Sequence, residues 1–192
     1  MSIEIVSDKE INNIFEKEWD ELSHRFRKIE TLQHYNEEGS ESYKALLEGE
    51  LQRAVRLCRK EIASISNSDN GELGNKESDR IRIVDFPLNE YTVYEIHSYL
   101  VSSKELGDKF WLTDYESLEI PNRYVKYFGD FICFDEKISI LYNYDIKGFR
   151  TGGIKMRSEK HIIMMIELFE HIKKKSERLR SFIENKNIDI IF

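Results

Sequence analysis

The clearest pattern of apolar and polar positions lies between residues 129 and 153. Phe131–Phe134 is a short apolar run, typical of a strand that is buried on both faces. In Ile138–Tyr144 the isoleucines and tyrosines recur at every second position, and Asp145–Gly148 carries the turn signal of a hairpin. Gly152–Gly153 lies in or at the end of the next strand, where glycines indicate a bulge or a close backbone contact. The segment therefore predicts three consecutive strands.

The N-terminal part shows the three- and four-residue spacing of helices. Ser7 or Asp8 can cap a helix that runs to about Leu32, and Ser40 begins a second helix after a turn at 36–39. Each helix carries one apolar stripe, so the two are expected to pack as an antiparallel pair. The stripes consist of Ile11, Ile14, Phe15, Trp19, Leu22, Phe26 and Ile29, and of Tyr43, Leu46, Leu47, Leu51, Ala54, Val55, Cys58 and Ile62.

A polar segment separates this helical part from the rest of the chain. Residues 67–78 are rich in Asn and Gly and lack large aromatic groups, which indicates a flexible loop. Arg80–Asp85 follows as a strand with isoleucines on one face and arginines on the other. Pro87 is placed to start a helix, and Lys109–Asp114 forms the next strand. This order predicts a βαβ-like unit.

The C-terminal part ends the predicted fold with a long helix. Ser158 is expected to begin it, because apolar residues recur at helical spacing from Ile162 to Ile183. The tail at 188–192 is apolar enough for an edge strand. The patterns together predict a single α/β domain, in which a helical pair (1–66) and the loop precede a core (79–192) containing a mixed sheet of about five strands with flanking helices.

Composition and charge exclude several classes of protein. The 192 residues are 40% hydrophobic, which suits a folded domain and argues against disorder. A net charge of −7 disfavours nucleic acid as a partner, and the basic run Lys173–Lys175 suits the end of a helix equally well. The N-terminus does not resemble a signal peptide, and no apolar stretch approaches the ~18 residues of a membrane span. A cytoplasmic protein without membrane contact is expected.

Several short blocks lie in a characteristic order along the chain: Ile29–Thr31 with Tyr35, Leu46–Glu50, Arg80–Val84, Phe86–Tyr91 with Glu95, Phe110–Leu112, Gly129–Asp135 and Tyr144–Gly148. Their order and spacing resemble a bacterial domain family of unknown function, which is widespread in actinobacteria and often encoded near helix-turn-helix regulators. The resemblance covers most of the chain. It implies an α/β architecture, a bacterial setting and a regulatory neighbourhood, but no established activity.

The strand, hairpin and final helix after a βαβ-like unit also resemble, distantly, a phospholipase-D-like half-domain. That superfamily uses a His-x-Lys-x4-Asp motif, in which the His attacks phosphorus and the Lys stabilises the phosphoryl charge. If Asp135 is the Asp of this motif, Asp130 replaces the Lys and Phe128 replaces the His. The resemblance therefore implies a degenerate, non-catalytic version, and Asp135 is expected simply to open a hairpin.

The candidate site consists of polar residues within these blocks. Arg80 and Arg82 share one strand face, and helices packed over that face can bring Glu30 or Glu95 to them. Such a half-buried pair either locks the packing or lines a pocket for a small anionic ligand. The candidate ligand-binding residues are Glu30, Tyr35, Arg80, Arg82, Tyr91, Glu95, Asp130 and Asp135.

No catalytic group, metal site or cofactor is predicted. The histidines form no metal-ligand pattern, and Cys133 in an apolar strand is expected to be inert. We expect a non-enzymatic module that binds a small anionic ligand or a protein partner, in association with a regulator or a defence or mobile-element system. A homodimer is left open. The alternative is a metal-dependent phosphoester or nucleotide-processing enzyme, which would cluster the carboxylates Glu30, Glu95, Asp130 and Asp135 around a cavity.

Overall fold

Strands from the N-terminal part and from the rest of the chain meet in one sheet. In the computed structural model, which describes residues 3–66 and 76–190, eight strands form a mixed sheet in the order β1-β7-β6-β5-β2-β3-β4-β8. β2, β3 and β4 are parallel, and the other neighbours are antiparallel. The strands are β1 Ile3–Ser7, β2 Arg25–Glu30, β3 Glu77–Val84, β4 Lys109–Asp114, β5 Phe131–Phe134, β6 Ile138–Tyr144, β7 Arg150–Met156 and β8 Glu177–Arg178.

Helices cover both faces of this sheet. α1 lies on one face, together with α4 and the α2–α3 pair that packs against α4, while α5 covers the opposite face. No helix in the described ranges is long and apolar enough to cross a membrane. The helices are α1 Asp8–Asp20, α2 Glu41–Leu47, α3 Leu51–Ser66, α4 Glu90–Glu105, α5 Glu159–Lys173 and α6 Leu179–Asn185, with short 3₁₀ helices at Tyr115–Ser117 and Asn122–Tyr127.

The predicted α/β class and the C-terminal strands are confirmed. β3, α4 and β4 form the expected parallel βαβ unit, and β5, β6 and β7 follow as an antiparallel meander. All four side chains of β5 are buried, as a strand packed on both faces requires. In the hairpin turn, the Asp145 carboxylate accepts the N–H groups of Lys147 and Phe149 at 2.8 and 3.0 Å. The sheet has eight strands instead of about five because the ends of the chain contribute more strands than expected.

The predicted first helix is wrong beyond Asp20. The helix begins as expected, since Ser7 and Glu10 form a capping box, but Arg25–Glu30 forms β2 in the middle of the sheet. Phe26 and Ile29 fit a helical stripe in sequence, yet in the strand they enter cores on opposite faces. The chain turns into the strand because the backbone N–H groups at 23–25 donate to Asp135, a partner that local spacing cannot reveal.

The other predicted helices are divided. The second ends at Leu47 and restarts at Leu51, with Gly49 between them at a φ of 77°. The predicted long C-terminal helix is interrupted by β8, which pairs with β4. β8 at 177–178 is therefore an edge strand of the sheet, whereas we expected one at 188–192. Residues 188–190 are not in a strand, and 191–192 lie outside the described residues. α4 begins at Glu90, capped by Asn89, and not at Pro87.

The predicted loop at 67–78 is only partly described. Glu77 and Ser78 belong to β3, where they pair with β2, so the end of the predicted loop is wrong. Residues 67–75 lie outside the described ranges. The interpretation of 1–66 as a helical part is also wrong, because β1 and β2 belong to the sheet. The single-domain organisation stays a prediction.

Gly153 provides a test of the close strand packing. A Cβ atom at this position would lie 2.5 Å from the Leu141 carbonyl oxygen and 3.3 Å from Ile11 Cδ1. We expect Gly153→Ala to lower the free energy of unfolding by roughly 2 kcal/mol, because neither the backbone nor the core can move away freely. Urea unfolding measures the loss, and Thr151→Ala on the exposed side of the strand is the control. Equal stability of the two variants would contradict the strand register.

Candidate functional site

The helices on one face of the sheet leave a gap between α1 and α4. A cavity of about 700 Å³ opens there above β2 and β3, within the usual size range of small-molecule pockets. Residues of α3 and α4, the segment 35–38 and the β6–β7 hairpin form its walls. The cavity therefore lies where the α1-packed and α4-packed parts of the sheet meet.

Charged side chains of β2 and β3 form the floor of the cavity. Lys28 and Glu30 lie on the same face because alternate residues of a strand share a face, and Arg80 of β3 is the neighbour of Lys28. Glu30 Oε1 lies 2.6 Å from Lys28 Nζ and 3.3 Å from Arg80 Nη2. Burial acts to raise the pKa of the Glu30 carboxyl, but the cations Lys28, Arg80 and Arg82 lower it to about 2. Glu30 is therefore ionised and already neutralised by its neighbours.

Arg82 is completely buried next to this floor and contacts Glu95 of α4. Arg82 Nη2 lies 2.6 Å from Glu95 Oε2, although the two groups are not aligned as a hydrogen bond. The Tyr99 hydroxyl donates to the other oxygen of Glu95 at 3.0 Å. Burial raises the pKa of the Glu95 carboxyl to about 7, against the lowering effect of Arg82. The pair fixes α4 on β3.

Asp130 lies behind the cavity wall and anchors the segment that follows β2. One carboxylate oxygen accepts the Thr31 N–H at 2.8 Å and the Thr31 hydroxyl at 2.6 Å. The Tyr35 hydroxyl donates to the other oxygen, and it also lies 3.5 Å from Arg82 Nη1. Burial raises the pKa of Tyr35, so its hydroxyl keeps the proton that Asp130 accepts. The network links Asp130 to Arg82 through the tyrosine.

Two carboxylates, Glu37 and Glu61, form an acidic wall of the cavity. The Tyr91 hydroxyl donates to Glu37 at 2.5 Å, and Ser42 donates its N–H and hydroxyl to Glu61 at 3.1 and 2.6 Å. Within the described ranges neither carboxylate lies within ion-pair distance of a cation. Burial raises the pKa of the Glu37 carboxyl, against the lowering effects of the Tyr91 hydrogen bond and of the more distant Lys28 charge. The acidic wall thus carries negative charge that only neutral hydroxyl and amide donors contact.

The cavity as a whole has more carboxylates than cations. Seven carboxylate and three basic side chains line it. All three basic groups already have carboxylate partners, since Arg150 contacts Asp8 and the other two contact Glu30. The lining charges are Asp8, Glu30, Glu37, Glu38, Glu61, Glu95 and Asp108 against Lys28, Arg80 and Arg150.

The structure brings seven of the eight candidate residues into one region. Glu30, Arg80 and Glu95 line the cavity, and Arg82, Tyr91 and Asp130 lie directly behind its walls. Arg80 pairs with Glu30 and Arg82 pairs with Glu95, as expected. Tyr35 also lines the cavity. Whether these residues bind a ligand stays a prediction.

Asp135 lies elsewhere, in the turn between β5 and β6. Its φ is 49°, and its carboxylate accepts the N–H groups of Ser23, His24 and Arg25 at 2.8 to 3.2 Å. Burial acts to raise the pKa of this carboxyl, but the hydrogen bonds from Arg25 and Ser23 lower it. Asp135 opens the hairpin, as expected, and it also fixes the start of β2.

The sequence did not identify Lys28, Glu37 or Glu61. Lys28 is not identified because the apolar spacing predicts a helix in its segment. In a strand, Lys28 and Glu30 are two residues apart and therefore share one face. Glu61 lies beside Ile62 on the helical stripe, which was a weak signal of a polar group facing inward. Nothing local marked Glu37, because only the tertiary fold brings it to Tyr91.

Cysteine and metal chemistry find no support in this part of the molecule. Cys58 lines the cavity, but burial raises the pKa of its thiol to about 11. Burial also raises the pKa of Cys133. In residues 3–66 and 76–190, no three His, Cys, Asp or Glu side chains are arranged to hold a metal ion.

These features define an α/β protein with a charged, ligand-sized cavity above the parallel strands of a mixed eight-stranded sheet. The sequence profile of the domain of unknown function DUF6879 matches residues 13–184, and the chain belongs to this family. The resemblance to a family of unknown function is thereby confirmed. No curated protein matches the sequence.

Solved structures with a similar fold share little sequence with the chain. TrmBL2, an archaeal chromatin protein described as showing a novel mode of DNA binding, gives a TM-score of 0.51 at 9% identity, over 93% of this chain and 53% of that chain. This chain thus spans about half the length of TrmBL2, and the likeness shows the fold alone.

Two further structures are similar at lower scores. NucT from Helicobacter pylori gives a TM-score of 0.46 at 11% identity, over 92% of this chain and 98% of that chain. Phosphatidylserine synthase from Haemophilus influenzae Rd KW20 gives 0.45 at 9% identity, over 92% and 38%. The distant resemblance to a phospholipase-D-like half-domain stays a prediction of the sequence.

Glu30 should make stability depend on pH. Its folded pKa of about 2 lies below its ordinary value of 4.5, so its contribution is present above pH 4.5 and is lost as the pH falls towards 2. We expect Glu30→Gln to lower the free energy of unfolding by about 3 kcal/mol at pH 7, with the difference shrinking below pH 4.5. Chemical unfolding between pH 2.5 and 7 measures this, with exposed Glu116→Gln as the control. A constant difference across that range would contradict the ion pairs.

Arg82 and Glu95 should behave as a coupled pair. Replacement of Arg82 by Met leaves the buried Glu95 without its cation, which we expect to cost about 3 kcal/mol of stability at pH 7. Adding Glu95→Gln removes the buried, unpaired carboxyl and should recover a large part of that loss. A double-mutant cycle from thermal unfolding measures the coupling. Simple additivity of the two single changes would show that the contact carries no energy.

Proposed function

We propose that this protein is a non-enzymatic binding module that takes a small, positively charged ligand into the cavity above β2 and β3. The acidic wall carries this proposal, because Glu37 and Glu61 have no cationic partner in the described ranges while each cavity cation has a carboxylate. An organic amine or guanidinium group entering there would supply the missing charge.

The geometry supports a cation in preference to the anionic ligand expected from the sequence. Arg80 already contacts Glu30 at 3.3 Å, and Arg82 contacts Glu95 at 2.6 Å. An anion would have to displace these carboxylates and would meet the negative charge of the remaining lining. A cation would neither displace these carboxylates nor be repelled by the negative lining.

Aromatic and apolar groups complete a site for an amine with a hydrocarbon chain. Four tyrosines and Ile62 of α3 line the cavity and give it aromatic and apolar surface. The volume of about 700 Å³ accommodates a molecule larger than a simple ion. The lining tyrosines are Tyr35, Tyr94, Tyr99 and Tyr144.

The enzyme alternative has weaker support. It requires carboxylates that are free to hold a metal or move a proton, but Glu30 and Glu95 contact arginines, and Asp130 is bound by Thr31 and Tyr35. No observation favours phosphoester chemistry over binding. A regulatory setting, a protein partner and a homodimer stay predictions of the sequence.

Isothermal titration calorimetry with agmatine, spermidine and the dicarboxylate glutarate tests the proposal. We expect at least one of the two cationic compounds to bind and glutarate not to bind, because the acidic wall attracts only cations. Binding of glutarate without binding of either amine would overturn the proposed ligand class.

Variants of the acidic wall locate the binding. We expect Glu61→Gln and Glu37→Gln each to weaken amine binding by roughly tenfold, since each removes one charge from the ligand site. Glu116→Gln, which is exposed and remote from the cavity lining, should bind like the original protein. Unchanged affinity in both wall variants would place the amine elsewhere and contradict the site.

A further inference from the structure

A second pocket lies on the opposite side of the sheet from the cavity, at the start of β2. It has a volume of about 510 Å³ and is formed by residues 23–25, Arg27 and the turn at 135–137. Arg27 lies in its wall and points to the face covered by α5, because it alternates with Lys28 of the cavity floor. This pocket is called the Arg27 notch below.

Arg27 is buried with little compensation for its charge. It is 5% exposed, and its Nε has no hydrogen-bond partner among the residues that the structure describes. Its Nη1 donates to the Asp135 carbonyl oxygen at 3.4 Å, and the carboxylates of Glu136 and Glu170 come only within 3.9 Å. By comparison, Arg82 has a carboxylate at 2.6 Å. A guanidinium group has five donors in a fixed fork, so most of its bonding capacity here is unused.

The carboxylates around the Arg27 notch do not provide close hydrogen-bond acceptors for the Arg27 guanidinium group. The Asp135 carboxylate is occupied by three backbone N–H groups and by Lys137 Nζ at 3.2 Å. The Glu136 side chain is 74% exposed and the Glu170 side chain is 40% exposed, so both are solvated and free to turn away. The notch thus combines a buried, underused guanidinium group with an accessible opening.

We propose that the Arg27 notch binds the phosphate group of a small molecule. The planar fork of Arg27 matches two oxygens of a phosphate, and binding would satisfy donors that the protein leaves free. Lys137 and Arg25 at the rim are already paired with Asp135 and Glu77, so Arg27 itself must supply the binding, which Glu136 and Glu170 weaken unless they turn outward. This site is independent of the amine site in the cavity, because it lies on the other face of the sheet.

Phosphate-dependent stabilisation of the whole chain tests the site. Thermal unfolding and ³¹P NMR are measured with inorganic phosphate and with glycerol 3-phosphate, against sodium chloride at equal ionic strength. We expect both phosphates to raise the melting temperature, and glycerol 3-phosphate to bind at least as tightly as inorganic phosphate. No shift with either compound, or binding of inorganic phosphate alone, would overturn the proposal.

Three variants separate binding at Arg27 from a general salt effect. Arg27→Gln should weaken phosphate binding at least about tenfold without lowering the melting temperature in chloride, since it removes an undercompensated buried charge. Glu136→Gln keeps Arg27 and should tighten binding about threefold by removing a competing carboxylate. The exposed control Arg123→Gln should bind like the original protein. Equal affinity in all variants, or weaker binding in Glu136→Gln, would overturn the site.

Discussion

The arginine at position 82 sets the main constraint on this fold, because a guanidinium group in the middle of a sheet cannot stay without compensation. Its side chain is fully buried, and α4 brings Glu95 to it at 2.6 Å. The segment after β2 brings the Tyr35 hydroxyl, which Asp130 holds from behind. The position of α4, the path of the chain after β2 and the start of β5 are therefore coupled through one cation.

Charge compensation differs sharply between the two faces of the sheet. On the α4 face the arginines are matched by close carboxylates, and the surplus negative charge lies at Glu37 and Glu61. On the α5 face Arg27 is buried with carboxylates no closer than 3.9 Å. The cavity face thus has surplus negative charge from Glu37 and Glu61, whereas the α5 face buries the Arg27 cation; side-chain alternation along β2 places Arg27 and Lys28 on opposite faces.

The local sequence predicted correctly those elements whose apolar pattern fits only one type of secondary structure. The buried run of β5, the alternation of β6 and the arginine–isoleucine alternation of β3 were confirmed because helical spacing does not fit them. β2 was missed because Phe26 and Ile29 fit the spacing of a helical stripe, whereas the contact that fixes the start of the strand comes from Asp135, far along the chain. The candidate arginines have their expected partners, whereas the acidic wall depends on tertiary contacts: Glu61 had only a weak local signal, and Glu37 had none.

The strand order has a consequence for how the chain is made. β2 lies between β3 and β5, and β1 pairs with β7, so β1 and β2 each have a partner that is translated more than a hundred residues later. Contacts this distant in sequence slow folding and leave strand edges exposed in the meantime. β1 cannot pair until β7 has been made as far as Met156, and β2 can pair with β3 earlier but gains its second neighbour only when Phe134 has been made.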